Sequence, residues 1–103
     1  MILGIGHDIC DQRRIAELLN RFDTRFINRI LTKQEQAELA KRNQKEAYFA
    51  GRFAVKEAVY KALAGADQSN MRWHHAATLS NGRGAPHLIL SGACLAGAEA
   101  LLP

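Results

Sequence analysis

Apolar positions change their rhythm several times along this chain, and each change marks a predicted element. Residues 1–9 (MILGIGHDI) are an aliphatic run closed by polar residues, which predicts a short, mostly buried strand. Gly4 and Gly6 permit a bulge or a close backbone neighbour, and Asp8 stands at the strand end, ahead of Asp11 as a helix cap. Over 12–20, Ile15, Leu18 and Leu19 recur at helical spacing, and a second amphipathic segment carries Phe22, Phe26, Ile27 and Ile30. Thr32 with Glu35 reads as a capping box, so a helix is predicted from Lys33 to about Arg42, ended by polar Asn43 and Gln44. Residues 46–64 give the longest helical signal, rich in alanine and free of proline. Their apolar residues (Tyr48, Phe49, Phe53, Val55, Val59, Leu63) spread beyond one stripe, which predicts a central helix with protein on most sides. Gly51 costs about 1 kcal/mol against alanine in an exposed helix, so a close neighbour is expected there.

Beyond a loop at 65–70, strands are predicted at 76–80 and 87–90, separated by the hairpin signal Asn81-Gly82-Arg83-Gly84. Ser91-Gly92 interrupts, and 93–102 returns to helical composition. This order predicts one α+β domain over 1–103, a small antiparallel sheet packed on a long central helix.

Composition adds three points. A 103-residue chain with 48% hydrophobic residues can build a core, but buries a modest share of its surface, which makes oligomerisation an expectation. Cys10 and Cys94 have no CxxC spacing and read as free thiols packed as small hydrophobes in a reducing compartment. The opening run is too short for a signal peptide and contains Asp8, and nothing approaches a membrane span, so the reading is cytoplasmic without membrane attachment.

The net charge of +4 is placed unevenly: Arg13, Arg14, Arg21, Arg25 and Arg29 are opposed within their stretch only by Glu17 and Asp23. Such a face suits an acidic protein, a phosphorylated ligand or nucleic acid, or is simply a solvated helix surface. No RNP, helix-turn-helix or zinc-finger signature accompanies it, which argues against nucleic acid.

Two carboxylates stand out chemically. Asp8 closes a strand, and Glu57 lies inside the most hydrophobic helix, where an unpaired carboxylate costs several kcal/mol. Glu57 could pair with Lys61 one turn on, reach solvent, or meet Asp8 over a divalent cation, since two carboxylates with waters and phosphate oxygens are a usual Mg²⁺ site. Arg52, Lys56 and Lys61 on the same helix could grip a pyrophosphate, or form only a polar stripe. The histidines at 7, 74, 75 and 87 have no partners at zinc spacing, and GxSxG, P-loop and GxGxxG patterns are absent.

Three segments together resemble the holo-(acyl-carrier-protein) synthases of the 4′-phosphopantetheinyl transferase superfamily. They are M-I-L-G-I-G-H-D-I, then R-F-I-N-R-I-L-T-x-x-E from Arg25 to Glu35, then F-A-G-R-F-A-V-K-E-A-V-Y-K-A-L from Phe49 to Leu63. Gly84-x-Pro86, a strand and Ser91-Gly92 follow in the same order. The resemblance implies transfer of 4′-phosphopantetheine from coenzyme A to a serine of an apo acyl carrier protein, within fatty acid biosynthesis, with release of adenosine 3′,5′-bisphosphate. It implies Asp8 and Glu57 as Mg²⁺ ligands and, with Lys61, as catalytic residues. Arg14 and Arg25 would meet the acidic carrier protein. Arg52, Lys56, Gly84 and Pro86 would lie toward coenzyme A, held between subunits of a homotrimer. The serine proton would pass to a water or a nearby carboxylate, with Glu35 a candidate.

Three departures accompany the likeness. Ala64-Gly65-Ala66-Asp67 stands where the family usually has Gly-Thr-Gly, and Ala85 replaces the lysine of many Gly-Lys-Pro segments. The family also continues past Pro103 into a closing β-segment, so the expected fold lacks the final C-terminal strand. The alternative reading is therefore a truncated, inactive relative that binds carrier protein or coenzyme A without catalysis.

Overall fold

Residues 24–103 are described by this computed structural model, and they form four helices, one 3₁₀ turn and one β-hairpin. The strand expected at 1–9, the helix at 12–20 and the Asp11 cap lie outside the described residues, as do Asp8 and Arg14.

Helix α1 (24–30) buries Ile30 and leans Phe26 and Ile27 on the core, as its spacing predicts. Helix α2 (Lys33–Ala40) starts at the expected capping box: Thr32 Oγ1 accepts the Glu35 N–H at 3.2 Å, and Glu35 Oε1 accepts the Thr32 N–H at 2.9 Å. It stops short of Arg42 because Lys45 folds back and donates to the carbonyls of Leu39, Ala40 and Arg42 at 3.0–3.2 Å. The Leu39 carbonyl also accepts the Arg42 N–H at 3.1 Å, and Lys45 adds a partner to all three at a helix end where the backbone ladder runs out.

Helix α3 (Lys45–Ala62) corrects one expectation. It buries Tyr48, Phe49, Phe53, Lys56 and Glu57 on one side, while Gly51, Ala58 and Lys61 are exposed. Among the described residues it is amphipathic rather than surrounded, and apart from its own helix backbone and chain neighbours nothing lies within 4 Å of a β-carbon built on Gly51. The close neighbour expected there is not found among the described residues. Aromatic contacts join the elements: Phe26 meets Phe49 at 5.3 Å, Phe49 meets Phe53 at 6.3 Å, and Phe53 meets Trp73 at 4.9 Å between ring centroids.

Strands β1 (Ala76–Ser80) and β2 (Pro86–Leu90) pair antiparallel, with Ala76 opposite Leu90 and Ser80 opposite Pro86. The turn forms where predicted. Gly84 adopts φ 81°, and the Asn81 side chain accepts the N–H groups of Arg83 and Ala85 at 2.8 and 3.0 Å. Strand β1 is largely buried and packs on α2 and α3, whereas β2 is exposed, with Leu88 and Ile89 about half open. Helix α4 (Gly92–Ala100) begins at Gly92, whose φ of 52° and contact with the His75 ring leave no room for a side chain. Cys94 is a buried free thiol, as read from its spacing, and burial pushes its pKa up. The small antiparallel sheet against a long helix is the α+β layout that the sequence predicts. Among the described residues no helix is long and apolar enough to cross a membrane.

Candidate functional site

The centre of the described residues is ionic. Glu35 is 0% exposed, and the Lys56 side chain is 1% exposed. Lys56 Nζ donates to Glu35 Oε1 at 2.8 Å, to the Trp73 carbonyl at 3.0 Å and to the Ala76 carbonyl at 2.9 Å. Glu35 Oε2 accepts the Thr78 N–H at 2.9 Å, while Oε1 also serves the capping box. Burial draws the Lys56 pKa below 10.5, and Glu35 opposes that pull. Every proton of the ammonium is used. Lys56, expected on a phosphate-gripping face, is instead consumed by this node, and Glu35 has no lone pair directed to solvent for proton abstraction.

Glu57, the next residue, is in the opposite condition. It is 7% exposed, and its Oε2 is buried without a hydrogen-bond partner. The ion pair with Lys61 is not among those formed by the described residues. Of the three ways to satisfy this carboxylate, the Lys61 pair is therefore missing, and solvent does not reach Oε2. Lys61 sits exposed one turn on.

Arg52 occupies the other flank of α3. Its guanidinium lies 3.3 Å from Glu38 Oε1 and 4.6 Å from the Tyr48 ring centroid, with Arg42 over the same ring at 5.1 Å. Tyr48 also donates its hydroxyl to Glu38 Oε1 at 3.0 Å, and burial leads in raising its pKa to about 12, so the phenol stays protonated. Burial alone would raise the Glu38 pKa, but the Ser80 N–H, the Tyr48 hydroxyl and Arg52 outweigh it and hold the carboxyl below 4.5. Glu38 Oε2 accepts the Ser80 N–H at 2.8 Å, and Ser80 is the partner of Pro86. The network thus ties Arg52 to the hairpin end that carries Gly84 and Pro86, both exposed.

A cavity of about 600 Å³ opens between α1, α3 and the Trp73–His75 turn. Arg25, Arg29 and Arg72 line it beside Tyr60, Met71 and Trp73. None of the three arginines has a carboxylate partner among the ion pairs of the described residues. His74 Nε2 lies 2.6 Å from the Asn28 carbonyl and so links the turn to α1. Arg72 was not legible as a site residue, because nothing in the sequence places it beside residues more than forty positions earlier.

The family model of the 4′-phosphopantetheinyl transferase superfamily matches residues 4–97. The chain belongs to that superfamily. Among its curated relatives are two holo-(acyl-carrier-protein) synthases. The one from Mesorhizobium japonicum is 42% identical over 103 residues, which is 100% of this chain and 75% of the relative. The one from a Methylobacterium species is 41% identical, over 100% of this chain and 76% of the relative. A crystal structure of holo-(acyl-carrier-protein) synthase from Neisseria meningitidis superposes with a TM-score of 0.68 at 29% identity. That match covers 82% of this chain and 67% of the other. Of the residues singled out in the sequence, Arg52 is linked through Glu38 and Ser80 to the hairpin that carries Gly84 and Pro86, and Glu57 and Lys61 lie one turn apart on α3. Arg25 stands at the cavity, and Lys56 lines it from inside the buried node.

Proposed function

We propose that this chain is a holo-(acyl-carrier-protein) synthase that moves 4′-phosphopantetheine from coenzyme A to a serine of an apo acyl carrier protein, releasing adenosine 3′,5′-bisphosphate. The observation that supports this most is Glu57: a buried carboxylate oxygen with no protein partner, inside the motif shared with the family. An orphaned hard oxygen at the edge of the core suits a divalent cation, and Glu57 with Asp8 would hold Mg²⁺. When bound, Mg²⁺ supplies neutralisation of the pyrophosphate charge.

Lys61, exposed and one turn beyond Glu57, orients and neutralises a phosphate oxygen of coenzyme A during transfer. Arg52 and the hairpin end with Gly84 and Pro86 hold the rest of the coenzyme. With Glu35 fully committed, the proton of the attacking serine passes to water. The working assembly is a homotrimer in the cytoplasm with coenzyme A between subunits, serving fatty acid biosynthesis. Mass spectrometry of an apo carrier protein incubated with coenzyme A should show the phosphopantetheine adduct with Mg²⁺ and little without it. No adduct at saturating Mg²⁺ sinks the proposal.

The carrier protein docks on the arginine-rimmed cavity, where Arg25 is joined by Arg29 and Arg72, with Arg14 the further carrier-binding arginine that the family likeness implies. Reversing two of these charges in R25E/R72E should raise the KM for carrier protein roughly tenfold, leave kcat near parental and flatten the salt dependence of kcat/KM. An unchanged KM across ionic strengths would move the docking surface elsewhere.

A further inference from the structure

We propose that the buried Glu35–Lys56 pair is a positioning pair, fixing the rotation of α3 so that Glu57 Oε2 is held in the interior, where a cation would meet it. The inference rests on the metal-dependent reading of Glu57 given above. Neither Glu35 nor Lys56 touches substrate or metal in it.

Consecutive helix residues point about 100° apart, so the direction of Glu57 follows from where Lys56 is anchored. Lys56 Nζ is anchored from three elements at once: Glu35 on α2, the Trp73 carbonyl in the 3₁₀ turn and the Ala76 carbonyl at the start of β1. Glu35 closes the loop by holding the Thr78 N–H of β1 and the Thr32 N–H that starts α2. These bonds are directional, unlike the packing of Phe49 and Phe53, which tolerates a small roll of the helix. The Arg52–Glu38 contact is a weaker brace because both side chains are partly open to solvent.

Glu57 needs such a brace. With Oε2 buried and unpaired, the helix lowers its free energy by rolling that carboxylate toward water unless something resists. A roll of even a fraction of one residue's angle would strain all three Lys56 bonds. The node therefore keeps a carboxylate in a costly arrangement that a cation relieves, which is how a ligand is preorganised.

The test uses the full chain with Mn²⁺ as the probe, its binding read by electron paramagnetic resonance, together with transfer kinetics. The double variant E35Q/K56M removes both charges while keeping volume and leaves no lone buried ion. With circular dichroism as in the parent, it should bind Mn²⁺ roughly tenfold or more weakly and lose kcat in similar proportion. E35D, which keeps the charge but shortens its reach, should show a smaller loss in both. A double variant that binds Mn²⁺ like the parent and turns over at the parental kcat overturns this inference alone. A parent that binds no Mn²⁺ overturns the functional reading and this inference with it. Should the double variant not fold, E35D decides, and parental Mn²⁺ affinity and kcat in E35D overturn the pair's positioning role.

Discussion

Replacing Glu57 with glutamine should lower phosphopantetheine transfer roughly a hundredfold or more, while the protein folds at least as stably as the parent. The two halves of this result have one cause. Glu57 Oε2 is buried without a partner, so in the absence of a ligand the carboxylate is a cost to the fold. Glutamine has nearly the same shape without the charge, and its removal of that cost should leave Tm unchanged or raised. Losing the anion removes what a divalent cation binds, so activity should fall and Mn²⁺ binding with it. Thermal melts without metal, run beside the transfer assay, separate this from a structural role. A Glu57→Gln protein that melts well below the parent would mean that Glu57 holds the fold, and the catalytic assignment would fail.

The opposite pattern is expected one residue earlier. Lys56→Met alone should destabilise the chain by about 3–5 kcal/mol, because it strands the Glu35 carboxylate at 0% exposure with its cation removed. For a domain of this size that is a fall in Tm of roughly 15 °C or more. The double variant should recover much of the loss, since two neutral side chains of similar volume leave no isolated charge. Denaturant or thermal unfolding of the single and double variants measures the difference directly. If K56M melts within a few degrees of the parent, the carboxylate has found water, and the node is less closed than its hydrogen bonds indicate.

Local signals in the sequence predicted the elements well where one piece of chemistry decided them. Thr32 with Glu35 set the start of α2, Asn81 to Gly84 set the turn, and the strand at 76–80 followed from its flanks. The same local rules missed the end of α2, because Lys45 reaches back to its carbonyls from the next helix. They misread Gly51, since helical composition does not reveal which face meets the core. Glu57 was singled out for its apolar surroundings, but Lys56 was placed with the surface cations. Its acceptors, Glu35, Trp73 and Ala76, lie 17 to 21 positions away along the chain. No periodicity encodes such a meeting. The cavity arginines were legible only in part for the same reason, with Arg25 and Arg29 in one basic stretch and Arg72 far from it.

Trp73, the chain's one tryptophan, has a place that makes it a natural optical probe. Its indole lies against Phe53 and lines the arginine-rimmed cavity, and its carbonyl accepts a hydrogen bond from Lys56 Nζ. The emission of that single fluorophore is therefore coupled both to whatever enters the opening and to the integrity of the ion pair beneath it. Docking and loosening of the interior can be followed on unlabelled protein, in real time, through one wavelength.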